Sequence, residues 1–352
     1  MTVPATRKAA AYAIAAAALF GAGTPCSKLL LSGADPLFLA GVFYFSGGLF
    51  MLCFPGAIGE LALLRRKRGR DAALLGGSVL SGGIAAPVLM LLGLRAIDAA
   101  SASLLFSLEV AFTALLAGVV FGEHIGRRVI FSALLAVFSG ALLAFQGQGL
   151  AFNLGAMLVA ASCFCWALDN NLTARVEGIS PAAATAAKGL AAGIVNLILW
   201  RLVAPGPLPE ARVLAGAAAV GAFSYGLSTM LYVVSARQAG AARSQVLFSV
   251  NPFIGALISV AVFGAGILSV WQVAAAFGML LALSGIYTEN HDHGHAHPAQ
   301  RHEHSHFHDD GHHAHPHESG EIAATAHSHM HEHAPLEHSH PHFPDQHHRH
   351  SH

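Results

Sequence analysis

Charged side chains are scarce in this chain. Asp, Glu, Lys and Arg make up 11% of its 352 residues, whereas hydrophobic residues make up 54%. A soluble globular domain usually carries about 25% charged residues, so the composition excludes that class and predicts an all-α membrane protein. Nothing resembles a phosphate-binding loop or an ATPase motif. We therefore expect no enzyme, no ATP-driven pump and no nucleic-acid partner, but a protein that works in a lipid bilayer.

Cysteine is also rare, and histidine is almost absent from most of the chain. The four cysteines lie in apolar segments, where free cysteine usually packs as a small core side chain. Cys163 and Cys165 resemble half of a metal site, but no neighbouring ligand completes it. Of the 24 histidines only His124 precedes residue 291. The apolar region thus has no ladder of imidazole or thiolate ligands that would carry a metal ion through a membrane.

Long apolar stretches occupy the chain up to residue 287. A helix needs about 20 apolar residues to cross a hydrocarbon core of about 30 Å, and a lipid-exposed strand cannot satisfy its backbone hydrogen bonds. The sequence therefore predicts ten transmembrane helices, at residues 9–31, 36–55, 73–94, 99–121, 129–146, 152–172, 181–203, 213–235, 242–263 and 268–287.

The distribution of basic residues predicts the orientation of these helices. With the N-terminus placed in the cytoplasm, the cytoplasmic segment ends carry 12 Lys and Arg and the outer ends carry 4. Cytoplasmic loops of membrane proteins are enriched in these residues. We therefore expect both termini, and the basic loop 56–72, to face the cytoplasm.

The apolar region repeats itself. Phe106 recurs as Phe248 and Phe121 recurs as Phe263, both at an offset of 142 residues. Each copy has five predicted helices, an odd number, so the copies must point in opposite directions. Such inverted repeats are typical of secondary transporters, which bind substrate near the midplane between the halves. The predicted organisation is a first five-helix repeat at 1–146, a second at 147–287 and a tail at 288–352.

Glu109 is the one charged residue in the apolar run 101–121. It lies about 12 Å from the nearer end of this predicted helix, deep in the bilayer. A carboxylate facing lipid costs a few kcal/mol, so we expect Glu109 to face other helices or a wet cavity. Two interpretations remain open: a protonated group that only bonds neighbouring helices, and a group that handles substrate or protons.

Other polar residues lie at comparable depths. Lys188 is about 10 Å, and Asp169 about 5 Å, from the cytoplasmic side. They could form a structural ion pair, Lys188 could extend towards the interface, or Lys188 could line a cavity and meet an anionic group. Asn251 is the equivalent of Glu109 in the second repeat, and Pro252 after it can break the helix and free a carbonyl towards the cavity. The predicted substrate or coupling site comprises Glu109, Asn251, Lys188, Asp169, Asn170 and Trp166.

Several motifs of the apolar region are those of a known family. They are Phe20-Gly-x-x-x-Pro25-x-x-Lys28-Leu, Pro36-Leu-x-Leu-Ala-Gly41, Ser107-Leu-Glu109-x-x-Phe112 with Phe121-Gly-Glu123, and Asn251-Pro252-Phe253 with Phe263-Gly264. They resemble the EamA family of the drug/metabolite transporter superfamily over about residues 9–287. The resemblance implies a ten-helix inverted-repeat fold that moves small molecules across the inner (plasma) membrane. One departure is Gly264-Ala265-Gly266, which stands where the family usually has Gly-Glu.

The tail has a different chemistry. Residues 291–352 hold 23 histidines in 62 positions and no apolar periodicity, so we predict a segment that is disordered without a ligand. Neutral imidazole suits divalent Zn, Ni, Co and Cu. The predicted metal ligands are His291, His293, His295, His297, His302, His304, His306, His308, His338, His340, His342, His347, His348, His350 and His352. No cofactor is expected for transport itself.

Three hypotheses follow from the sequence. The first is a transporter of a small metabolite, such as an amino acid or a drug-like solute, with an accessory metal-binding tail. The second is a transition-metal transporter (Ni, Co or Zn) whose tail collects or senses the ion, and the third is a membrane-anchored metal buffer. Substrate identity, direction, coupling ion and the role of the tail stay open, as does the oligomeric state, for which a homodimer is one candidate.

Overall fold

The computed structural model describes most of the apolar region and four segments of the tail. The described residues are 3–64, 69–120, 127–145, 153–173, 176, 179–239, 247–264, 269–287, 291–297, 300–306, 327–333 and 336–342. Up to residue 287 the described residues are almost entirely helical, as the composition predicted.

The helices are numbered here in chain order, and two π-helical segments are named π1 and π2. In the first repeat they are α1 (Val3–Leu30), α2 (Pro36–Met51), α3 (Ala57–Leu64), α4 (Arg70–Ser78), π1 (Val79–Ala85), α5 (Ala86–Ala96), α6 (Ala99–Leu105), α7 (Ser107–Val119) and α8 (Arg127–Phe145). In the second they are α9 (Leu154–Thr173), α10 (Pro181–Val203), α11 (Ala211–Val220), π2 (Gly221–Leu227), α12 (Ser228–Ala239), α13 (Asn251–Phe263) and α14 (Val270–Tyr287).

Both repeats contain a π-helical segment at the same place. α4, π1 and α5 follow one another without a gap, as do α11, π2 and α12. π1 begins at Val79 and π2 at Gly221, which is the 142-residue offset of the sequence repeat. π-helical segments are rare and often occur at functional sites. Their matched positions support two copies of one structural unit.

The repeats meet along α2 and α10, which cross in opposite directions. A Cβ atom added at Gly41 would lie 2.7 Å from Cγ of Leu197, and one added at Gly48 would lie 2.6 Å from the nitrogen of Leu190. The start of α2 therefore lies beside the end of α10, and the end of α2 lies closer to the start of α10. Glycine at these positions lets the two backbones approach closely. Equivalent helices that pack antiparallel are what an inverted repeat requires.

A second pair of contacts follows the same symmetry. Ser224 of π2 donates a hydrogen bond of 2.7 Å to the carbonyl oxygen of Leu19, and so joins π2 to α1. The equivalent of Ser224 in the first repeat, 142 residues earlier, is Gly82 of π1, and its neighbour is Asp169 of α9. A Cβ atom at Gly82 would overlap the Asp169 carboxyl group. α9 thus packs on π1 as α1 packs on π2.

The lengths and compositions of the helices fit a multi-pass membrane protein. In the part of the chain that the structure describes, five helical stretches are long and apolar enough to cross a membrane: Lys8–Leu30, Ala72–Ala96, Ala99–Leu116, Pro181–Val203 and Ala211–Ser235. Among the described residues, four shorter apolar helices are Pro36–Met51, Ile130–Leu142, Asn251–Phe263 and Val270–Ala282. Each of the ten predicted segments overlaps a described helix. The number of membrane crossings and the positions of the termini stay predictions.

Described parts of the tail are strands. They are β1 (His291–His297), β2 (Gln300–His306), β3 (His327–His333) and β4 (Leu336–His342). β1 pairs antiparallel with β4, and β2 with β3. The prediction of a disordered tail is therefore not confirmed for these segments. That prediction considered the lack of an apolar core, but the recurring His-x-His pattern also matches the two-residue period of a strand.

Candidate substrate site

A cavity of about 150 Å³ lies between the two repeats. Its lining includes residues of α1, α2, α4, α7, α9, α10, π2 and α12, so both repeats contribute. It extends from Pro181, in the first turn of α10, to Lys188, about 10 Å deeper along the helix axis. Pro181 follows directly on the connection between α9 and α10, which places the cavity mouth at that end of the bundle.

Most of the polar residues predicted from the sequence line this cavity. Glu109, Trp166, Asp169, Asn170 and Lys188 do so. They come from α7, α9 and α10, which are separated in sequence and are brought together by the crossing of the repeats. Asn251 does not line it.

Asp169 and Lys188 form an ion pair. Their side chains are 5% and 17% exposed, so the pair is largely removed from solvent. Lys188 binds Oδ2 of Asp169, and Thr173, one helical turn after Asp169, donates to Oδ1 at 3.0 Å. Ser78 of α4 also donates to Oδ1. Three donors thus satisfy this carboxylate, which offsets the cost of burying it.

Glu109 stands in the first turn of α7, just after Phe106 interrupts the helix that α6 began. It is half-buried, and Asn170 Nδ2 donates a hydrogen bond of 2.8 Å to its Oε1. Asn170 follows Asp169 directly on α9. The residue that donates to Glu109 is therefore the chain neighbour of the other acidic residue of the cavity. Glu109 therefore has one amide donor, whereas Asp169 has a cation and two hydroxyl groups. It is the cavity carboxyl without a bonded cation among the described residues.

Pro87 accounts for the polar contacts beside these acids. In π1 the backbone N–H of residue i bonds the carbonyl of residue i−5, as that of Ala86 bonds Ser81. Pro87 has no N–H, so the carbonyl of Gly82 is left without that partner. The hydroxyl of Tyr44 donates to this oxygen, and Trp166 Nε1 donates to it at 3.2 Å. The freed carbonyl thus fixes two aromatic side chains of the cavity wall.

The side chain of Asn251 bonds to the backbone of its own chain segment and does not line the cavity. Pro252 frees the carbonyl of Phe248, and Asn251 Nδ2 donates to that same oxygen at 2.9 Å. From the sequence we expected the freed carbonyl to face the cavity, but the side chain next to the proline donates a hydrogen bond to it. Asn251 is 7% exposed. Phe248 itself lines the cavity, so the helix break places an aromatic ring there.

Sequence reasoning missed most of the aromatic wall. Six aromatic side chains of the described residues line the cavity: Phe20, Tyr44, Trp166, Tyr225, Tyr232 and Phe248. The ring of Phe20 lies 5.9 Å from Trp166, 6.2 Å from Tyr225 and 5.7 Å from Phe248, between ring centroids. Only Trp166 was predicted, because aromatic residues in apolar segments ordinarily face lipid or core. The sequence signal available was the position of Phe20 and Phe248 in the motifs of both repeats.

At the opposite end of the bundle, hydrogen bonds and a close glycine contact join α1, α5 and α9. Lys28, near the end of α1, donates hydrogen bonds to the carbonyl oxygens of Leu94 at 2.5 Å and Ile97 at 2.7 Å. These carbonyls lie at the C-terminal end of α5. The last carbonyl groups of a helix have no backbone N–H partner within that helix. Gly155 of α9 also packs there, since an added Cβ would lie 2.8 Å from Ala96.

The described residues contain no group of three or more His, Cys, Asp or Glu side chains arranged to hold a metal ion. Cys163 is buried and Cys165 half-buried, in keeping with packing roles. His308, His347, His348, His350 and His352 lie outside the described residues, as does His124. In the strand register, His291, His293 and His295 are the partners of His342, His340 and His338, and His302, His304 and His306 are the partners of His331, His329 and His327.

Comparison with known proteins places the chain in a family. The model of the EamA-like transporter family matches residues 7–145 and again residues 153–288. An uncharacterized transporter of Methanothermobacter thermautotrophicus is 26% identical over 263 residues, which cover 70% of this chain and 76% of that protein. A solved crystal structure superimposes with a TM-score of 0.58 at 16% identity, covering 81% of this chain and 98% of its own, which shows a shared fold. With two matches that together span most of its length, the chain belongs to the EamA-like transporter family.

Proposed function

We propose that this chain is a secondary transporter that moves a small metabolite, such as an amino acid or a drug-like solute, across the inner (plasma) membrane. Its ten helices form two inverted repeats, and both termini lie in the cytoplasm. The observation that carries this proposal is the cavity between the repeats, which is lined by Glu109, Asp169 and Lys188.

The position of the cavity between two inverted repeats supports an alternating-access mechanism. Its mouth lies at the end of α9 and the start of α10, which is the cytoplasmic end in the orientation expected from the basic residues. The contacts of Lys28 join α1 to α5 at the other end. In an inverted repeat, each half can adopt the conformation that the other half now has. Such an exchange would close the present opening and open the cavity at the opposite end, while the binding site stays in place. π1 and π2 lie at matched positions where the helix path can change.

Glu109 is the residue that we assign to coupling. Its carboxyl group has a single amide donor, so it can take up either a proton or a positively charged group of the solute. Asp169 is already bonded to Lys188 and two hydroxyl groups, which suits it to a positioning role. A polar group that faces the interior of a membrane bundle is by default a functional candidate.

The tail is proposed to bind divalent Zn, Ni, Co or Cu without taking part in the transport step. The strand register opposes histidine to histidine at three positions in each strand pair. Opposed residues of antiparallel strands have Cα atoms about 4.5–5.5 Å apart, so histidine positions recur in close pairs. Imidazole is a ligand that all four ions accept.

Transition-metal transport is the second candidate. The density of histidine in the tail favours it. The apolar region does not, because His124 is the one histidine before residue 291. The cavity offers carboxyl and aromatic groups in place of imidazole and thiolate. A panel of amino acids, amines and divalent metal ions in uptake and efflux assays, with and without the tail, separates the two candidates.

Site-directed labelling tests the proposed cavity and its orientation. Ala184 lines the cavity mouth and is half-buried. We expect Ala184→Cys, in a background without Cys26, Cys53, Cys163 and Cys165, to react with a membrane-impermeant maleimide in inside-out vesicles but not in intact cells. Leu208→Cys is the control, since Leu208 is 74% exposed between α10 and α11, at the other end. Labelling of the two cysteines with sides reversed would refute the orientation, and no labelling of Ala184→Cys from either side would refute an accessible cavity.

A further inference from the structure

The described side chains that line the cavity carry one more negative than positive charge when all of them are ionised. Among the residues that the structure describes, three charged side chains line it: Glu109, Asp169 and Lys188. Lys188 and Asp169 neutralise each other in a buried pair. Ionised Glu109 would leave one charge uncompensated in a low-dielectric surrounding, which is costly unless a proton or another cation joins it.

In the described lining of the cavity, the strong hydrogen-bond donors are already engaged. Lys188 binds Asp169, Asn170 donates to Glu109, and Trp166 Nε1 donates to Gly82. The hydroxyl groups that remain accept hydrogen bonds as readily as they donate them. A carboxylate or phosphate on the solute would therefore meet no free cation in the described lining, while an ammonium group would meet a carboxyl group.

The aromatic wall suits the same kind of solute. Phe20 lies at the centre of a group of rings that includes Trp166, Tyr225 and Phe248. Tyr232 continues this group, with its ring centroid 4.9 Å from that of Phe248. Aromatic faces carry partial negative charge and attract cations within about 6 Å of the ring centroid. They also give an apolar solute body a surface to pack against.

We propose that the solute of this cavity is a small organic cation, an amine with an apolar body. Its positive group binds beside Glu109, and its apolar body packs among Phe20, Trp166, Tyr225 and Phe248. This inference rests on the proposed function, because it assumes that the cavity is the solute site of a transporter. It disfavours the anion and the zwitterion, whose carboxylate would meet no free cation in the described lining.

Four ligands with the same ring test the charge preference on the native protein. They are 2-phenylethylamine (cation), phenylalanine (zwitterion), 3-phenylpropionate (anion) and 2-phenylethanol (neutral), titrated by calorimetry into lipid nanodiscs at pH 7.5 with empty nanodiscs as the blank. We expect saturable binding of the amine, and binding of the zwitterion and the anion at least about tenfold weaker, since a charge-assisted hydrogen bond contributes tenfold or more. Equal or tighter binding of phenylalanine or phenylpropionate, or no saturable binding of the amine, overturns the inference.

Variants then locate the positive group. Glu109→Gln should weaken amine binding by about tenfold to a hundredfold and leave 2-phenylethanol binding unchanged. Glu210→Gln is the matched control, because Glu210 is 70% exposed outside the cavity and its loss should change neither. Amine binding that is unaffected by Glu109→Gln overturns the assignment. The comparison of ligands on the native protein still decides the charge preference if this variant does not fold.

Counterflow in proteoliposomes separates this inference from the proposed function. Counterflow of the amine in preference to the other three supports both. Amine binding without counterflow of any of the four contradicts transport and leaves the charge preference intact. Preferred counterflow of the zwitterion or the anion contradicts the charge preference and leaves transport intact.

Discussion

The buried pair of Asp169 and Lys188 gives the sharpest prediction about stability. With Asp169 5% and Lys188 17% exposed, little water reaches either group to replace its partner. Asp169→Asn leaves the Lys188 ammonium with no carboxylate beside it. Removing one partner of a buried ion pair lowers the free energy of unfolding by about 3–5 kcal/mol. The amide oxygen that this substitution introduces can still accept hydrogen bonds from the hydroxyl groups of Ser78 and Thr173. The loss of the negative charge of Asp169 is therefore the main change.

The double variant Asp169→Asn/Lys188→Met should recover most of this loss. A buried pair replaced on both sides by uncharged groups of similar size is often close to neutral. We expect a coupling free energy of about 2–3 kcal/mol between the two positions. Because one charge of each sign is removed, the net charge of the cavity is unchanged, and the double variant should keep the ligand preference of the native protein.

Equilibrium unfolding in mixed detergent micelles, followed by circular dichroism, measures the four members of this cycle. The control is the exposed pair of Arg212 and Glu210, whose side chains are 84% and 70% exposed. Its coupling should be no more than about 0.5 kcal/mol, as solvent screens it. If the losses of Asp169→Asn and Lys188→Met simply add in the double variant, the pair does not hold the cavity together as argued.

Two further predictions concern the helix crossing and the tail. Gly189→Val should lower the free energy of unfolding by about 1–3 kcal/mol, because an added Cβ would lie 2.7 Å from the Cα of Gly48, whereas Gly206→Ala, with nothing within 4 Å, should be neutral. Equal effects of these two substitutions in the same unfolding assay would refute the tight crossing. Deletion of residues 288–352 should abolish high-affinity binding of Zn, Ni or Cu by calorimetry at pH 7.5 and leave basal transport intact. Metal binding by the full chain should weaken below about pH 6.5, where free imidazole becomes protonated, and loss of transport by the truncated but membrane-inserted protein would contradict the accessory role.

The helices could be predicted from the sequence because their signal is local. Every predicted apolar segment overlaps a helix, and the predicted start of the seventh segment coincides with Pro181 at the start of α10. Ser180 caps that helix by accepting from the N–H of Ala183, and proline suits the first turn. Depth in the membrane is also a local property, which is why Glu109, Asp169 and Lys188 were recognised together.

Orientation around a helix axis was less predictable. Asn251 is equivalent to Glu109 by sequence offset, but Pro252 gives it a backbone carbonyl to bond at once. Equivalent depth does not decide which face of a helix meets a cavity. The aromatic wall was missed for the same reason, since five of its six members are ordinary apolar residues of their segments.

The π-helical segments have no local signature that the hydrophobic pattern reveals. Pro87 was the available clue, because a residue without an N–H leaves carbonyls of the preceding turn to other partners. One of these, on Gly82, holds Tyr44 and Trp166, and the next, on Gly83, accepts from Asn196 at 3.1 Å. Knowing those partners required the packing of α2, α9 and α10 against π1. The strand pairing of the tail was likewise hidden by composition.

The central claim is that Glu109 couples the solute to its movement through the cavity. The measurement is transport by Glu109→Gln in proteoliposomes over pH 5.5–8.5, using the solute that the uptake panel identifies. Glutamine keeps an oxygen that can accept from Asn170 but cannot carry the charge, and Glu210→Gln serves as the control. We predict a rate at least about tenfold below that of the native protein, or a rate that no longer depends on pH. A folded Glu109→Gln protein with an unchanged rate and an unchanged pH profile would contradict the account.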